Sequence, residues 1–210
     1  MNAKTFSAFS APPPHWVVDA AFGAELAARL LKFVLEREPV FADTTIGNTA
    51  NKFVRKSVRS SRATQDFGDL RAEVEARFRA RLPAAISRLG LAPFALKGLS
   101  MELAAHGDGD FYHRHIDTFV ASGPPRPDRI LTGVYYFHAT PCGFTGGDLR
   151  LHSLRSADDG GSHVDIAPKN DRLLLFPAWA PHEVRPVSCP DRDFGQSRFA
   201  INCWYLGKSV

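Results

Sequence analysis

The sequence predicts an α+β chain, mainly β, in which a jelly-roll core carries helices against one outer face. Three observations predict it. Helical periodicity dominates up to about residue 95, short strands follow from Leu96 onward, and clusters of Gly, Asp and Pro separate those strands. The 210 residues fit one domain. Within it we expect a flexible lead over 1–15, helical support over 16–95 and the jelly-roll core over 96–210.

The first helix is expected over Asp19 to Arg37, where Phe22, Leu26, Leu30, Phe33 and Val34 recur at spacings of three and four and make one apolar stripe. Asp69 to Arg81 repeats the pattern with Leu70, Val74 and Phe78, and Glu73 and Arg77 stand one turn apart on its outside. Pro83 should end or kink this helix, with a further turn or two through Ile86 and Leu89 before Gly90. The strands follow. Leu99, Met101 and Leu103 alternate with Ser100, Glu102 and Ala104. Ile130 to His138, Leu149 to Leu151, Val164 to Ile166, Arg172 to Phe176, His182 to Val187 and Arg198 to Leu206 continue the series, seven or eight strands in all. The turns between them carry Gly107-Asp108-Gly109, Gly146-Gly147, Gly160-Gly161 and Pro190-Asp191.

Composition excludes several classes. A hydrophobic fraction of 44% with 16 Phe supplies a core and argues against disorder. No run of about 18 apolar residues exists, so no helical membrane span is expected. Met1 to Trp16 has no apolar run before Pro12-Pro13-Pro14 and does not read as a secretory signal. Cys142, Cys189 and Cys203 are odd in number and widely spaced, against a disulfide framework or structural zinc, and a cytoplasmic setting is the expectation. The net charge of +4 includes one basic run, Lys52, Arg55, Lys56, Arg59 and Arg62, which reads as a solvated strand edge or as a flank for an acidic partner. Neither a membrane nor a nucleic-acid partner is expected.

The chemistry concentrates in three places. In Tyr112-His113-Arg114-His115-Ile116-Asp117, extended chain sends His115 and Asp117 to one face, where an imidazole and a carboxylate can grip one ion. Pro181-His182-Glu183-Val184 adds a second histidine. Two histidines and one carboxylate form a facial triad that leaves three positions of octahedral iron(II) open, two for a bidentate oxo-acid and one for dioxygen; zinc also suits these ligand types. Arg198 opens the apolar strand Phe199-Ala200-Ile201, where an unpaired guanidinium is costly. Its planar fork suits a carboxylate, either an internal Asp or Glu or, beside a metal triad, the distal end of 2-oxoglutarate.

Taken in order, Tyr112-x-x-His115-x-Asp117, Tyr135-Tyr136, Gly146-Gly147-Asp148-Leu149-Arg150, Pro168-Lys169-Asn170-Asp171-Arg172-Leu173, His182-Glu183-Val184 and Arg198-Phe199-Ala200-Ile201 give a pattern that resembles the 2-oxoglutarate- and Fe(II)-dependent dioxygenases, especially their prolyl 4-hydroxylase-like branch. It covers about Leu99 to Leu206. The resemblance implies a double-stranded β-helix (jelly roll, cupin-like), iron on His115, Asp117 and His182, and 2-oxoglutarate on Arg198. Tyr136 would donate to the same carboxylate, and Leu149 and Trp204 would line that pocket; a cross-strand aromatic pair and simple core packing are the plain alternatives for Tyr136 and Trp204. Two departures stand out: His106 replaces a tyrosine of the oxygen-sensing members, and Ser188 to Gln196 is a polar insertion.

What the resemblance implies chemically is hydroxylation of a C–H bond, with oxidative decarboxylation of 2-oxoglutarate by dioxygen and ascorbate as an auxiliary. A carboxylate ligand at Asp117 points to hydroxylation rather than halogenation. The expected substrate is a prolyl residue in a protein; the alternatives are a free amino acid or other small metabolite, or a cupin-like metal-binding module without turnover. Thr118 to Arg129, with three prolines, is read as a lid or a plain surface excursion.

Overall fold

Residues 9–44, 55–118 and 128–209 are described by the structure, a computed structural model. Lys52 and the greater part of the Thr118–Arg129 segment lie outside these residues. In chain order the elements are β1 (Trp16–Val18), α1 (Ala24–Leu35), β2 (Ala42–Asp43), β3 (Arg59–Ser60), β4 (Arg62–Thr64), α2 (Arg71–Leu89), β5 (Phe94–His106), β6 (Phe111–His115) and β7 (Asp128–Phe137). Then follow β8 (Thr145–Gly146), β9 (Leu149–His152), β10 (His163–Ile166), β11 (Arg172–Pro177), β12 (His182–Val184), β13 (Val187–Ser188) and β14 (Arg198–Ser209).

Two antiparallel sheets face each other. The larger runs β1-β11-β7-β14-β5-β4-β2 and the smaller β10-β9-β12-β6-β3, with β8 and β13 forming a separate ribbon. This is the expected double-stranded β-helix. The central strands of the larger sheet are apolar on both faces because both are covered. Val134, Tyr136, Leu174, Phe176 and Ala200 face Leu149, Leu151, Ile166 and Ala180 of the smaller sheet. Their alternate neighbours Tyr135, Phe137, Leu173, Leu175, Phe199 and Ile201 face outward onto Leu26, Leu30, Val34, Val74 and Phe78 of the two helices. Gly133 admits this approach, since a Cβ there would lie 3.0 Å from the Phe78 ring.

The first helix is shorter than its periodicity predicts because Asp171 captures the chain before it. The Asp171 carboxylate accepts from the amides of Phe22 (2.8 Å) and Gly23 (3.1 Å) and from the Tyr135 hydroxyl (2.9 Å), and its carbonyl accepts from Ala21 N at 3.0 Å. Asp171 adopts φ 56°, a left-handed conformation that Asp tolerates better than most residues. The second helix runs through Pro83 without ending. Val74 and Phe78 before the proline and Ala85 and Leu89 after it are buried in one core, which holds the two halves in line. It stops at Gly90 in the left-handed conformation, where Leu91 N donates to Ile86 O at 3.0 Å.

Several strands lie where helical support is expected: β1 extends the larger sheet at β11, β4 and β2 extend it at β5, and β3 extends the smaller sheet at β6. They are two or three residues long, too short to carry a period. The expected strand from His182 to Val187 is broken at Arg185-Pro186 into β12 and β13, which join different sheets. The three cysteines are free thiols, and no helix among the described residues is long and apolar enough to cross a membrane.

Asp171→Ala should destabilise the protein by about 2–3 kcal/mol, because it strips acceptors from two amides and a buried phenol at once. Urea unfolding measures this; a midpoint unchanged from wild type would remove Asp171 from the account of how helix and sheet are joined.

Candidate active site

The smaller sheet sets the geometry. In the antiparallel ladder of β12 with β6, His182 stands directly opposite His115, and on its other side it pairs with Leu151 of β9. Asp117 lies just past the end of β6, where Ala178 O accepts from Asp117 N (2.9 Å) and Thr118 N (3.2 Å). All three side chains therefore turn into the space between the sheets. Their donor atoms lie within 4.8 Å of one another, with His182 Nε2 3.7 Å from Asp117 Oδ2 and His115 Nε2 3.9 Å from Asp117 Oδ1.

Each ligand is oriented from behind. His115 Nδ1 donates to His113 O at 2.8 Å and His182 Nδ1 to Ala180 O at 2.9 Å. Both Nε2 atoms thus keep a lone pair aimed inward. Burial, reinforced by the neighbouring His182, lowers the His115 pKa to about 3, so this imidazole is neutral at pH 7. Thr132 Oγ1, buried in β7, donates to Asp117 Oδ2 at 2.8 Å and leaves Oδ1 for an ion. Burial works against a charged Asp117, but His182, His115, Thr132 and Arg129 together hold its pKa below the ordinary carboxylate value. Two imidazoles and an anionic carboxylate are a donor set that fits a divalent transition ion with bonds of about 2.0–2.2 Å.

Deeper in the same cavity is Arg198, 1% exposed. Its Nε donates to Gly147 O at 2.7 Å, and its guanidinium lies 4.9 Å from the centre of the Tyr136 ring. Gly147 has to be glycine: φ is +69°, and a Cβ would come within 2.6 Å of Arg198 Cδ. Arg198 Nη2, the Tyr136 hydroxyl, Trp204 Nε1 and both ring nitrogens of His106 are buried without a hydrogen-bond partner. Orphaned polar atoms are rare, and each costs about 1–3 kcal/mol. Those of Arg198, Trp204 and His106 belong to residues lining one cavity, with Tyr136 packed on the arginine, and most are donors, so they fit an anion rich in acceptors, such as a dicarboxylate.

Six of the seven site residues singled out from the sequence meet at one cavity. Leu149 and Trp204 line the cavity with His115, Asp117, His182 and Arg198, and Tyr136 packs on the arginine. His106 stands opposite Arg198 in the β5–β14 ladder, where burial, with Arg198 and Arg59 nearby, pushes its pKa well below the usual histidine value. Sequence reasoning missed Thr132, Arg129 and Arg59. Arg129 lies 3.8 Å over the Trp204 ring. Like Arg198, Thr132 and Arg129 are polar residues in apolar strands, and that signal could have found them.

The basic run reads differently once folded. It does not sit apart from the catalytic strands: Arg59 lines the cavity beside Tyr112 and bonds Glu102 at 2.6 Å. Arg62 bonds Glu38 at 2.8 Å, and Lys56 reaches Asp43 at 2.9 Å. Three of its four described cations, Lys56, Arg59 and Arg62, are therefore held in ion pairs.

Comparison with known proteins agrees with this geometry. The family model of the 2OG-Fe(II) oxygenase superfamily matches residues 101–206. An uncharacterized PKHD-type hydroxylase of Synechocystis is 29% identical over 184 residues, 86% of this chain and 59% of the relative. The chain thus spans well under two thirds of that relative's length. Among solved structures, a Trichoplax adhaerens prolyl hydroxylase in complex with a hypoxia-inducible-factor peptide fragment is 27% identical, with a TM-score of 0.64 over 92% of this chain and 84% of its own. A Pseudomonas putida prolyl-4-hydroxylase shares the fold at 20% identity, with a TM-score of 0.67 over 93% and 94% of the two chains.

Alanine in place of His115, Asp117 or His182 should abolish high-affinity iron binding while leaving the fold intact, as titration calorimetry with circular dichroism would show. Wild-type affinity in any one variant would remove that residue from the ligand set. A pH effect follows from His106 and His115. Both pKa values lie below that of the unfolded chain, near 6.5, so acid protonates the unfolded state first. Stability of the metal-free protein should be full above that value and fall progressively as pH drops toward about 3. His106→Phe should flatten that fall in a series of melting temperatures.

Proposed function

This chain belongs to the 2OG-Fe(II) oxygenase superfamily, and from that premise we propose that it is an Fe(II)- and 2-oxoglutarate-dependent hydroxylase acting on a prolyl residue of a polypeptide. One observation carries the chemistry. A His-Asp-His triad shares its cavity with a buried arginine whose free donors, together with those of Tyr136, lack acceptors. A metal-binding module without turnover has no use for the second feature.

His115, Asp117 and His182 would hold Fe(II), and Arg198 with Tyr136 would hold the distal carboxylate of 2-oxoglutarate. Bound there, iron and 2-oxoglutarate supply the oxidising chemistry: the oxo-acid and dioxygen become succinate and carbon dioxide, and the second oxygen atom enters a C–H bond. The chain's own residues bind, orient and exclude water. Thr132 fixes the Asp117 carboxylate, and the backbone acceptors of the two histidines fix their rings. Tyr136, its pKa pushed up to about 12 by burial, stays protonated as a donor. Leu149 and Val134 line the cavity with apolar surface.

The substrate reading is supported by the Trichoplax relative, whose peptide complex spans nearly all of this chain. A free amino acid would need a cation and a carboxylate in the cavity. Arg59 lines the cavity, but it and Glu102 bond each other at 2.6 Å, and Arg59 Nε also donates to Ser61 Oγ. Satisfied in this way, they favour a substrate that brings no free charges.

Arg198→Lys should raise the half-saturating 2-oxoglutarate concentration about tenfold or more, because an ammonium cannot reproduce the guanidinium fork. An unchanged value in the folded variant would place the anchor elsewhere. For the substrate, proline-containing peptides should release succinate faster than free proline in a competition assay that also weighs the peptide product for added oxygen. Faster turnover of the free amino acid would promote the small-molecule reading.

A further inference from the structure

His106 closes β5 at the cavity wall, 3% exposed, yet neither of its ring nitrogens has a hydrogen-bond partner. It stands directly opposite Arg198 in the β5–β14 ladder, so the two side chains share one face of the sheet, and both line the cavity. The backbone on either side of it is held. Asp110 Oδ2 accepts from Gly107 N at 2.9 Å, and Asp110 Oδ1 accepts from Ser60 Oγ of β3. On the other flank, Ala105 pairs with Arg62 of β4. An imidazole fixed in this way is a poor choice for packing alone. An apolar ring would fill the same space without leaving two buried polar atoms unpaired.

We propose that His106 binds the co-substrate: its ring N–H donates to the distal carboxylate of 2-oxoglutarate beside Arg198 and makes the pocket selective for a dicarboxylate. The inference rests on Arg198 as the anchor of that carboxylate, proposed above, and deepens it. Arg198 leaves room for a further donor. Its Nε is spent on Gly147 O and its Nη2 is unpaired, while a carboxylate offers about four lone-pair sites on two oxygens. Charge explains the choice of histidine. Burial, with Arg198 and Arg59 nearby, holds the ring pKa well below the usual histidine value, so the ring is neutral at pH 7. A lysine in its place would set a further buried cation against Arg198, whereas a neutral imidazole adds a donor and no charge.

The test uses zinc-loaded protein, which binds without turnover because zinc has no redox chemistry. Calorimetry compares 2-oxoglutarate with 2-oxopentanoate, which carries a methyl group where the distal carboxylate stands. His106→Phe should weaken 2-oxoglutarate binding about tenfold and leave 2-oxopentanoate binding unchanged. His106→Gln, which keeps a neutral N–H, should recover most of the loss. Wild-type affinity for 2-oxoglutarate in His106→Phe, or an equal loss for both acids, would overturn the proposal. Wild type decides the matter even if the Phe variant does not fold. The nitrogen NMR resonances of the His106 ring, assigned by their absence from His106→Gln, should move on adding 2-oxoglutarate and stay in place on adding 2-oxopentanoate; no movement with 2-oxoglutarate would overturn the proposal. Arg198→Lys separates this inference from the reading beneath it. If that variant also binds 2-oxoglutarate as wild type does, the anchor lies elsewhere and both fail; if Arg198→Lys weakens binding and His106→Phe does not, only the role of His106 fails.

Discussion

His182 faces His115 across the β6–β12 ladder, and everything chemical in this protein depends on that register. Side chains alternate along a strand, so a slip of one residue would send the His182 imidazole to the outer face and bring Glu183 or Pro181 inward. Hydrogen bonds on both flanks prevent it. Pro181 O is bound by His152 N, and Ala178 O is bound by the amides of Asp117 and Thr118. The same contacts turn His115, Asp117 and His182 toward the cavity.

A second consequence is the division of labour between neighbours. Tyr135 and Tyr136 are adjacent and equally buried, yet they point to opposite faces of β7. Tyr135 stacks on Phe22 and bonds Asp171, fastening the helices to the sheet. Tyr136 lies against Arg198 in the cavity with its hydroxyl unpaired. One hydroxyl is satisfied and contributes to stability. The other is left unsatisfied, a local cost that a bound carboxylate would relieve. Unsatisfied groups of this kind are expected where a ligand binds.

The basic run shows how far charge in a sequence can mislead. Five cations without an intervening acid suggest a free positive surface. In the fold, Lys56, Arg62 and Arg59 find partners from elsewhere: Asp43, Glu38 and Glu102, the last 43 residues beyond Arg59. The polar insertion behaves likewise. Asp108 accepts from Cys189 N and pairs with Arg192, while Phe194 packs between Phe41 and Phe199. It serves as a strap over the glycine turn rather than a free loop.

By itself the sequence determined the fold class, the helices and the principal strands, and it pointed to the candidate site residues, because those readings rest on local rules: periodicity, turn chemistry, and polar residues whose types and spacing suit a metal and a carboxylate. Even there the limits were local. Pro83 was read as a breaker because propensity knows nothing of the core that grips both halves of its helix, and β1 to β4 were invisible because two or three residues carry no period. Only the tertiary structure decided that Thr132 orients Asp117, that Arg59 belongs to the cavity, and that Asp171 shortens the first helix. Each of these depends on residues distant in sequence meeting across ladders and between layers, and no pattern along a single chain encodes which distant partners will meet.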